Sequence, residues 1–397
     1  MKASKMMDNL VSRSLSQNTQ INENVGNPLK CAIFSFFSGA GFLDLGFEQA
    51  GFKTVFANEF HAPFLNAYKF SRSKLGIPRP MFGYLQDDIG VLLEPNEAII
   101  LQKRVEQTRT NFDLVGFVGG PPCPDFSVGG KNRGQDGKNG ILSQVYVDLI
   151  VEQKPDFFLF ENVKGLWRTK THRMFFEKLK AELREAGYLL TEKLINSIEF
   201  GAPQDRDRII LIGFLKKIVE KKLSDDLLDN FPWTKFAKYE RSTLNSHIWP
   251  KSESYFEDKN RIRPEHIIEE LTVQYWFHKN QVETHPNARD CFTPRAALPR
   301  FKTIDEGDDS RKCFKRLHRW RYSPTAAYGN NEVHLHPYRS RRISVSEALA
   351  IQSLPKEFEM PPEMTLTDKF KAVGNGVPFL AANSMAKSIQ SFLDAVT

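Results

Sequence analysis

The chain has 397 residues, enough for two domains, and carries 55 Lys and Arg against 48 Asp and Glu, a formal net charge of +7 with a sequence pI near 9.0. That balance favours a polyanionic partner. No apolar run is long enough to cross a bilayer, and the cysteines at 31, 123, 291 and 313 form no CxxC pair, which argues against a membrane protein, a disulfide scaffold and a bound metal.

Taken in chain order, Met1 to Asn27 is polar, rich in Ser, Asn and Gln, and lacks the apolar core of a signal peptide. It reads as a flexible arm and points to an intracellular, reducing compartment. Ile33 to Phe37 is an apolar strand, Gly39 and Gly41 make the tight turn after it, and Leu43 to Ala50 has helical character up to Gly51. The next strand, Lys53 to Ala57, leads to Glu59, 20 residues after Gly39, where nucleotide-binding sheets place an acid that grips ribose hydroxyls. Phe42 stands after Gly41, so the third glycine of a dinucleotide fingerprint is absent and a pyrophosphate is disfavoured.

Phe112 to Val118 reads as a buried strand that delivers Cys123 to the rigid loop Gly119-Gly120-Pro121-Pro122-Cys123-Pro124. Prolines fix φ before the thiol and glycines let the backbone turn, which suits a nucleophile held in one orientation. Asp156 to Phe160 is a further strand, ending in Glu161-Asn162-Val163, and Gln204-Asp205-Arg206-Asp207-Arg208 opens another apolar run, Ile209 to Phe214. A thiol, a carboxylate and arginines are thereby expected at one edge of the sheet. Singly, each has a structural reading: a buried cysteine, a helix-capping acid, a surface ion pair. Ser344 to Ser353 and Val377 to Leu393 read as helices, and His334 and His336 as surface or DNA-facing residues in a strand rather than as metal ligands.

Seven stretches carry a resemblance: Phe37-Ser38-Gly39-Ala40-Gly41, Asn58-Glu59-Phe60, Asp88-Ile89, Pro121-Pro122-Cys123, Glu161-Asn162-Val163, Gln204 to Arg208, and Gly374-Asn375-Gly376-Val377-Pro378. In this order they resemble the DNA cytosine-5 methyltransferases of bacterial restriction-modification systems, which use S-adenosyl-L-methionine (AdoMet). The resemblance implies an α/β fold with a Rossmann-like AdoMet-dependent methyltransferase sheet and a smaller, irregular target recognition domain. It implies that Phe37, Ser38, Gly39, Ala40, Gly41, Glu59, Phe60, Asp88, Ile89, Pro121, Asn375 and Val377 bind the cofactor. Cys123 would add to C6 of a flipped-out cytosine, Glu161 would bond N3 and the exocyclic amine, and Arg208, with Arg206 beside it, would hold O2. Pro124 departs from the family's usual Gln, which puts contacts to the DNA backbone there in doubt.

Double-stranded DNA is the implied partner. Ser127 to Ile141 places Ser127, Lys131, Arg133 and Lys138 among five glycines, a segment suited to moving and meeting phosphate. From Arg289 to Arg342 there are thirteen Lys or Arg against six Asp or Glu. Within Arg311 to Arg321 cations alternate with aromatic residues, and Arg316, Arg319 and Arg321 are the expected phosphate contacts. The domains implied are an arm (1–29), a catalytic domain (30–215), a target recognition domain (216–324) and a C-terminal segment completing the catalytic domain (325–397), in a monomeric cytoplasmic enzyme. A tRNA cytosine-5 methyltransferase and a catalytically idle DNA-binding homologue are the alternatives; Cys291-Phe292-Thr293 matches a tripeptide of the tRNA branch.

Overall fold

The computed structural model describes residues 28–122, 138–219, 228, 231–294, 297–311, 313–328 and 333–397. Cys123, Ser127, Lys131 and Arg133 lie outside the described residues, and of Lys138 only the helical backbone is described. Seven strands form one sheet in the order β3-β2-β1-β4-β5-β7-β6: β1 Cys31–Phe36, β2 Lys53–Asn58, β3 Tyr84–Leu85, β4 Leu114–Gly119, β5 Phe157–Val163, β6 Tyr188–Asn196 and β7 Asp207–Leu215. Strands β1 to β5 pair in parallel, whereas β7 runs antiparallel to both β5 and β6.

Every residue of β1 and β4 is buried. Helices cover both faces, so these strands are continuous apolar runs rather than alternating ones. One face carries Phe34, Phe36, Phe117 and Phe160 against helices Pro95–Thr108, Lys138–Gln153 and Lys170–Glu185; the other carries Ile33, Val118, Leu159 and Ile212 against the C-terminal helix Phe379–Val396. Gly116 and Gly213 are required by phenylalanine rings, for a Cβ on either would sit 2.1 Å from the ring of Phe157 or Phe158. The strands and helices expected up to Phe214 and the two C-terminal helices recur with ends shifted by a few residues, whereas the strand expected at His334 to His336 is reduced to isolated bridges at Leu335. The four residues 138–141 of the glycine-rich segment begin helix Lys138–Gln153.

Chain order reverses between β1 and β4, so the turn after β1 and the Gly119-Gly120-Pro121 loop after β4 open on the same crevice, the ligand position of open α/β sheets. The antiparallel β7 matters equally. It brings its own first residues beside the last residues of β5, pairing Val163 with Arg208 and Glu161 with Ile210.

Among its described residues the region 231–322 holds only short helices, Arg241–Ser246, Val273–Lys279 and Leu298–Phe301, with a 3₁₀ turn at Glu269–Leu271, joined by irregular chain. It is ordered around buried charge. Arg319 grips Glu306 through Nε (2.8 Å) and Nη2 (3.0 Å), and Arg316 donates to the carbonyls of Phe301, Ile304, His336 and Arg339 while stacking 3.8 Å from the Tyr255 ring centroid. His334 and His336 are buried as well, not on the surface, and burial holds both imidazoles down at about 3.

Candidate active site

A cleft of about 1170 Å³ lies along the carboxyl ends of β1, β2, β4 and β5. In its cofactor-side half the chain leaves β1 through Phe37 (φ 52°) and Gly39 (φ 57°), and Ser38 donates its N–H to the Asn58 carbonyl at 3.1 Å. A Cβ on Gly39 would meet nothing within 4 Å, so the turn presents bare backbone to the cleft. Glu59, at the end of β2, is 9% exposed; its carboxylate accepts from Gly39 N (2.8 Å) and His61 N (2.7 Å). Burial raises its carboxyl above the usual range, and those two backbone donors work against the rise. Asp88 caps the 3₁₀ turn Ile89–Leu93 by accepting from Gly90 N at 2.8 Å, which seats Ile89 at the wall.

The C-terminal segment closes this half. Gly376 packs so tightly on Phe42 that a Cβ would lie 2.1 Å from the ring, and Asn375 and Val377 thereby border the cleft. Of the twelve residues expected at the cofactor, eleven line the cleft; Gly41 does not, and its carbonyl is taken by Leu45 N and Arg72 Nη2.

In the other half, Glu161 lies two residues before the end of β5 with 8% exposure, and Arg208 Nε stands 2.6 Å from its Oε1. Gly120 is close enough that a Cβ there would sit 2.7 Å from Glu161 Oε2. Asp207 also borders the cleft: burial would raise its carboxyl, but hydrogen bonds from Lys164, Asn196 and Arg241 outweigh it and hold it low.

Arg206 differs from its neighbour Arg208. It borders the cleft, yet its guanidinium is buried and donates to the carbonyls of Ala326 (3.0 Å) and Gly374 (2.7 Å), so it fastens the C-terminal segment to the strand opening. Burial, and then the Arg208 charge, lower its pKa well below the ordinary guanidinium value. Gln204 supports the same joint, accepting from Ala326 N at 3.0 Å and donating to Ile351 O at 3.4 Å.

Two expected phosphate contacts are corrected. Arg316 and Arg319 are 0% and 5% exposed and committed to internal partners, so their charge does not reach a polyanion. Arg321 remains partly exposed and donates to Gly307 O at 3.2 Å. Residues outside the expected site set also line the cleft, among them Lys164, Lys315, Thr325, Tyr328 and Lys371. Lys164 follows directly on Glu161-Asn162-Val163 and Lys315 lies in the Arg311 to Arg321 run; no local pattern marks the other three. Among the described residues no cluster of His, Cys, Asp or Glu is arranged for a metal, and no helix is long and apolar enough to cross a membrane.

A parallel sheet with an antiparallel seventh strand inserted beside the fifth, and a glycine turn at its switch point, defines a Rossmann-like methyltransferase fold. The chain belongs to the C-5 cytosine-specific DNA methylase family, whose pattern matches residues 31–391. It is 57% identical over 367 residues to the Type II methyltransferase M.NmeDI of Neisseria meningitidis serogroup C, covering 92% of this chain and 84% of that one. M.FnuDI of Fusobacterium nucleatum is 29% identical over 91% of this chain and 94% of its own. Among solved structures, a protein encoded within an E. coli prophage superposes with a TM-score of 0.59 at 21% identity (92% and 99% coverage). S. pombe Dnmt2 does so with 0.57 at 14% identity (93% and 100% coverage). The protein is a DNA cytosine-5 methyltransferase.

Proposed function

We propose that this enzyme methylates C5 of one cytosine in a specific duplex sequence, as the modification member of a restriction-modification system, with Cys123 as the nucleophile and AdoMet as the cofactor. The observation that carries the reading is the Glu161–Arg208 pair, held at 2.6 Å where β5 and β7 meet and against Gly120. Cys123 follows Gly120 by three residues, within about 10 Å of chain. C5 of cytosine is a weak nucleophile, so the ring must first be activated by thiolate addition at C6. The Glu161 carboxyl bonds N3 and the exocyclic amine as electron density enters the ring, and Arg208 holds both Glu161 and O2. After transfer the C5 proton leaves and the C6–S bond breaks, returning the thiolate. These groups cannot reach a stacked base, so the cytosine is flipped out.

The cofactor half suits AdoMet on its residues. The bare turn at Gly39 and Ala40 admits close approach, Glu59 accepts from hydroxyls, and Phe37 and Ile89 offer apolar surface. When bound, AdoMet supplies an electrophilic methyl group. Residues 216–324 read the DNA sequence, and the enzyme works as a cytoplasmic monomer. Its relative M.NmeDI is named a Type II methyltransferase, which supports the restriction-modification setting. The test is bisulfite sequencing of DNA from cells expressing wild type or Cys123→Ser, together with trapping on 5-fluorocytosine duplex. Site-specific 5-methylcytosine and a covalent adduct are expected from wild type only; methylation by the serine variant would remove Cys123 from its role.

A further inference from the structure

Arg72 lies outside every motif, yet it is 2% exposed in the last turn of the helix Ala62–Lys74. Its guanidinium forks. Nη2 donates to the Gly41 carbonyl at 2.6 Å, and Nε lies 3.0 Å from Glu48 Oε2. Gly41 and Glu48 stand at opposite ends of the eight-residue helix Phe42–Gln49, and helical side chains lean toward the N-terminus, which lets one guanidinium engage both. Each end is tied to the sheet: Thr54 of β2 donates to Glu48 at 2.9 Å, and Ser35 of β1 to Asp44 at 2.8 Å. The Tyr68 ring supports the guanidinium from 4.3 Å.

Gly41 is the residue that this brace grips. At φ 80° it is the N-cap of the helix and has no side chain to cap it, so the turn's last carbonyl is fixed by Leu45 N (3.0 Å) and by Arg72. A Cβ on Gly41 would lie 2.6 Å from Tyr68 and 2.8 Å from Arg72 Nη1, so turn and brace are fitted to each other. Two residues earlier the same turn offers Gly39 to Glu59 and to the cleft.

We propose that Arg72 is a positioning residue for the cofactor: through the Gly41 carbonyl it sets the geometry of the Phe37–Gly41 turn, and with it the AdoMet affinity of the free enzyme. This rests on the assignment of AdoMet to that turn. The group touches no substrate and acts only through Gly41. A core ion pair of purely structural purpose would move thermal stability and leave the affinity of folded protein alone.

The test is calorimetric AdoMet binding to the full chain. Arg72→Lys keeps the charge beside Glu48 but not the fork; its AdoMet Kd is expected to rise about tenfold, the loss of one charge-assisted hydrogen bond. DNA affinity and kcat at saturating AdoMet should stay within roughly twofold of wild type, a KM effect without a kcat effect. Arg72→Ala with added ethylguanidinium should regain part of the lost affinity. Because that variant leaves two buried carboxylates uncompensated, Arg72→Met combined with Asp44→Asn and Glu48→Gln supplies a neutral core should it fail to fold. A folded variant of either kind that binds AdoMet within roughly twofold of wild type overturns the proposal. Glu59→Ala is the control for the site: if it loses AdoMet while the Arg72 variants do not, the cofactor assignment stands and Arg72 is only structural. If wild type binds no AdoMet, both fall.

Discussion

Glu161 and Arg208 owe their pairing to backbone direction, since only an antiparallel β7 brings residue 208 beside the end of β5. At this scale the identity of the partner decides the chemistry. Glu161→Gln keeps the shape of the carboxyl but cannot act as an acid. It should lower kcat by roughly two to four orders of magnitude, with AdoMet affinity unchanged, because the side chain faces the base half of the cleft. Loss of AdoMet binding in that variant would reassign Glu161 to the cofactor side. Arg316 poses the opposite case. Its alternation with aromatic residues suggested a phosphate contact, whereas its guanidinium satisfies four carbonyls inside the protein. Arg316→Ala should therefore cost about 3 kcal/mol or more in urea unfolding, with the salt slope of DNA binding in the remaining folded protein unaltered. A stable variant with a slope lower by about one unit would restore the phosphate role.

Between elements, the joint that makes the cleft is the C-terminal segment laid on the first helix. Gly46 sits so close to the C-terminal helix that a Cβ would be 2.5 Å from that of Ala382, and Asn383 donates to the Gly46 carbonyl at 3.0 Å. Gly376 meets Phe42 in the same way and has φ −65°, a conformation open to any residue, so only sterics forbid a side chain there. Gly376→Ala should cost about 1 to 3 kcal/mol and weaken AdoMet binding, as Asn375 and Val377 are pushed off the wall; an unchanged Kd measured by calorimetry would show that the wall yields freely. Much of this architecture was legible in the sequence. Strand, glycine turn and helix after Ile33, the acid at 59 and the carboxylate at 161 follow from local period and turn chemistry. The reversal of β7, the burial of Arg206 and the brace at Arg72 were not, because each depends on partners far away in the chain: Gly374 for Arg206, Gly41 for Arg72. The run Arg311 to Arg321 misled for the same reason, as Glu306 and the carbonyls around 301, 336 and 339 are invisible to a window of eleven residues.

Over the whole molecule, burial of ionisable groups links stability to pH in two opposed ways. Asp44, Glu48 and Glu59 have carboxyls raised by burial, so acid favours their folded forms. Four histidines, His285, His318, His334 and His336, act in the other direction, each lowered by burial. His318 is 2% exposed, burial lowers it to about 4, and its Nδ1 accepts from Trp320 N at 3.0 Å; His336 repeats the pattern with Tyr338 N at 3.3 Å. Protonating either Nδ1 would replace an acceptor with a donor facing an N–H. An unfolded histidine takes up its proton near pH 6.5, whereas folded His318 does so only near 4. Its contribution is therefore complete above about 6.5 and drains away as the pH falls toward 4, and between pH 7 and 5 it amounts to about 2 kcal/mol. Comparing wild type with His318→Gln isolates it from the carboxyls. The difference in unfolding free energy between the two proteins should shrink by about that amount from pH 7 to 5, measured by urea titration at each pH. A difference that stays constant across this range would mean that His318 ionises alike in the folded and unfolded chain, and that the packing of residues 231–322 does not depend on a neutral imidazole.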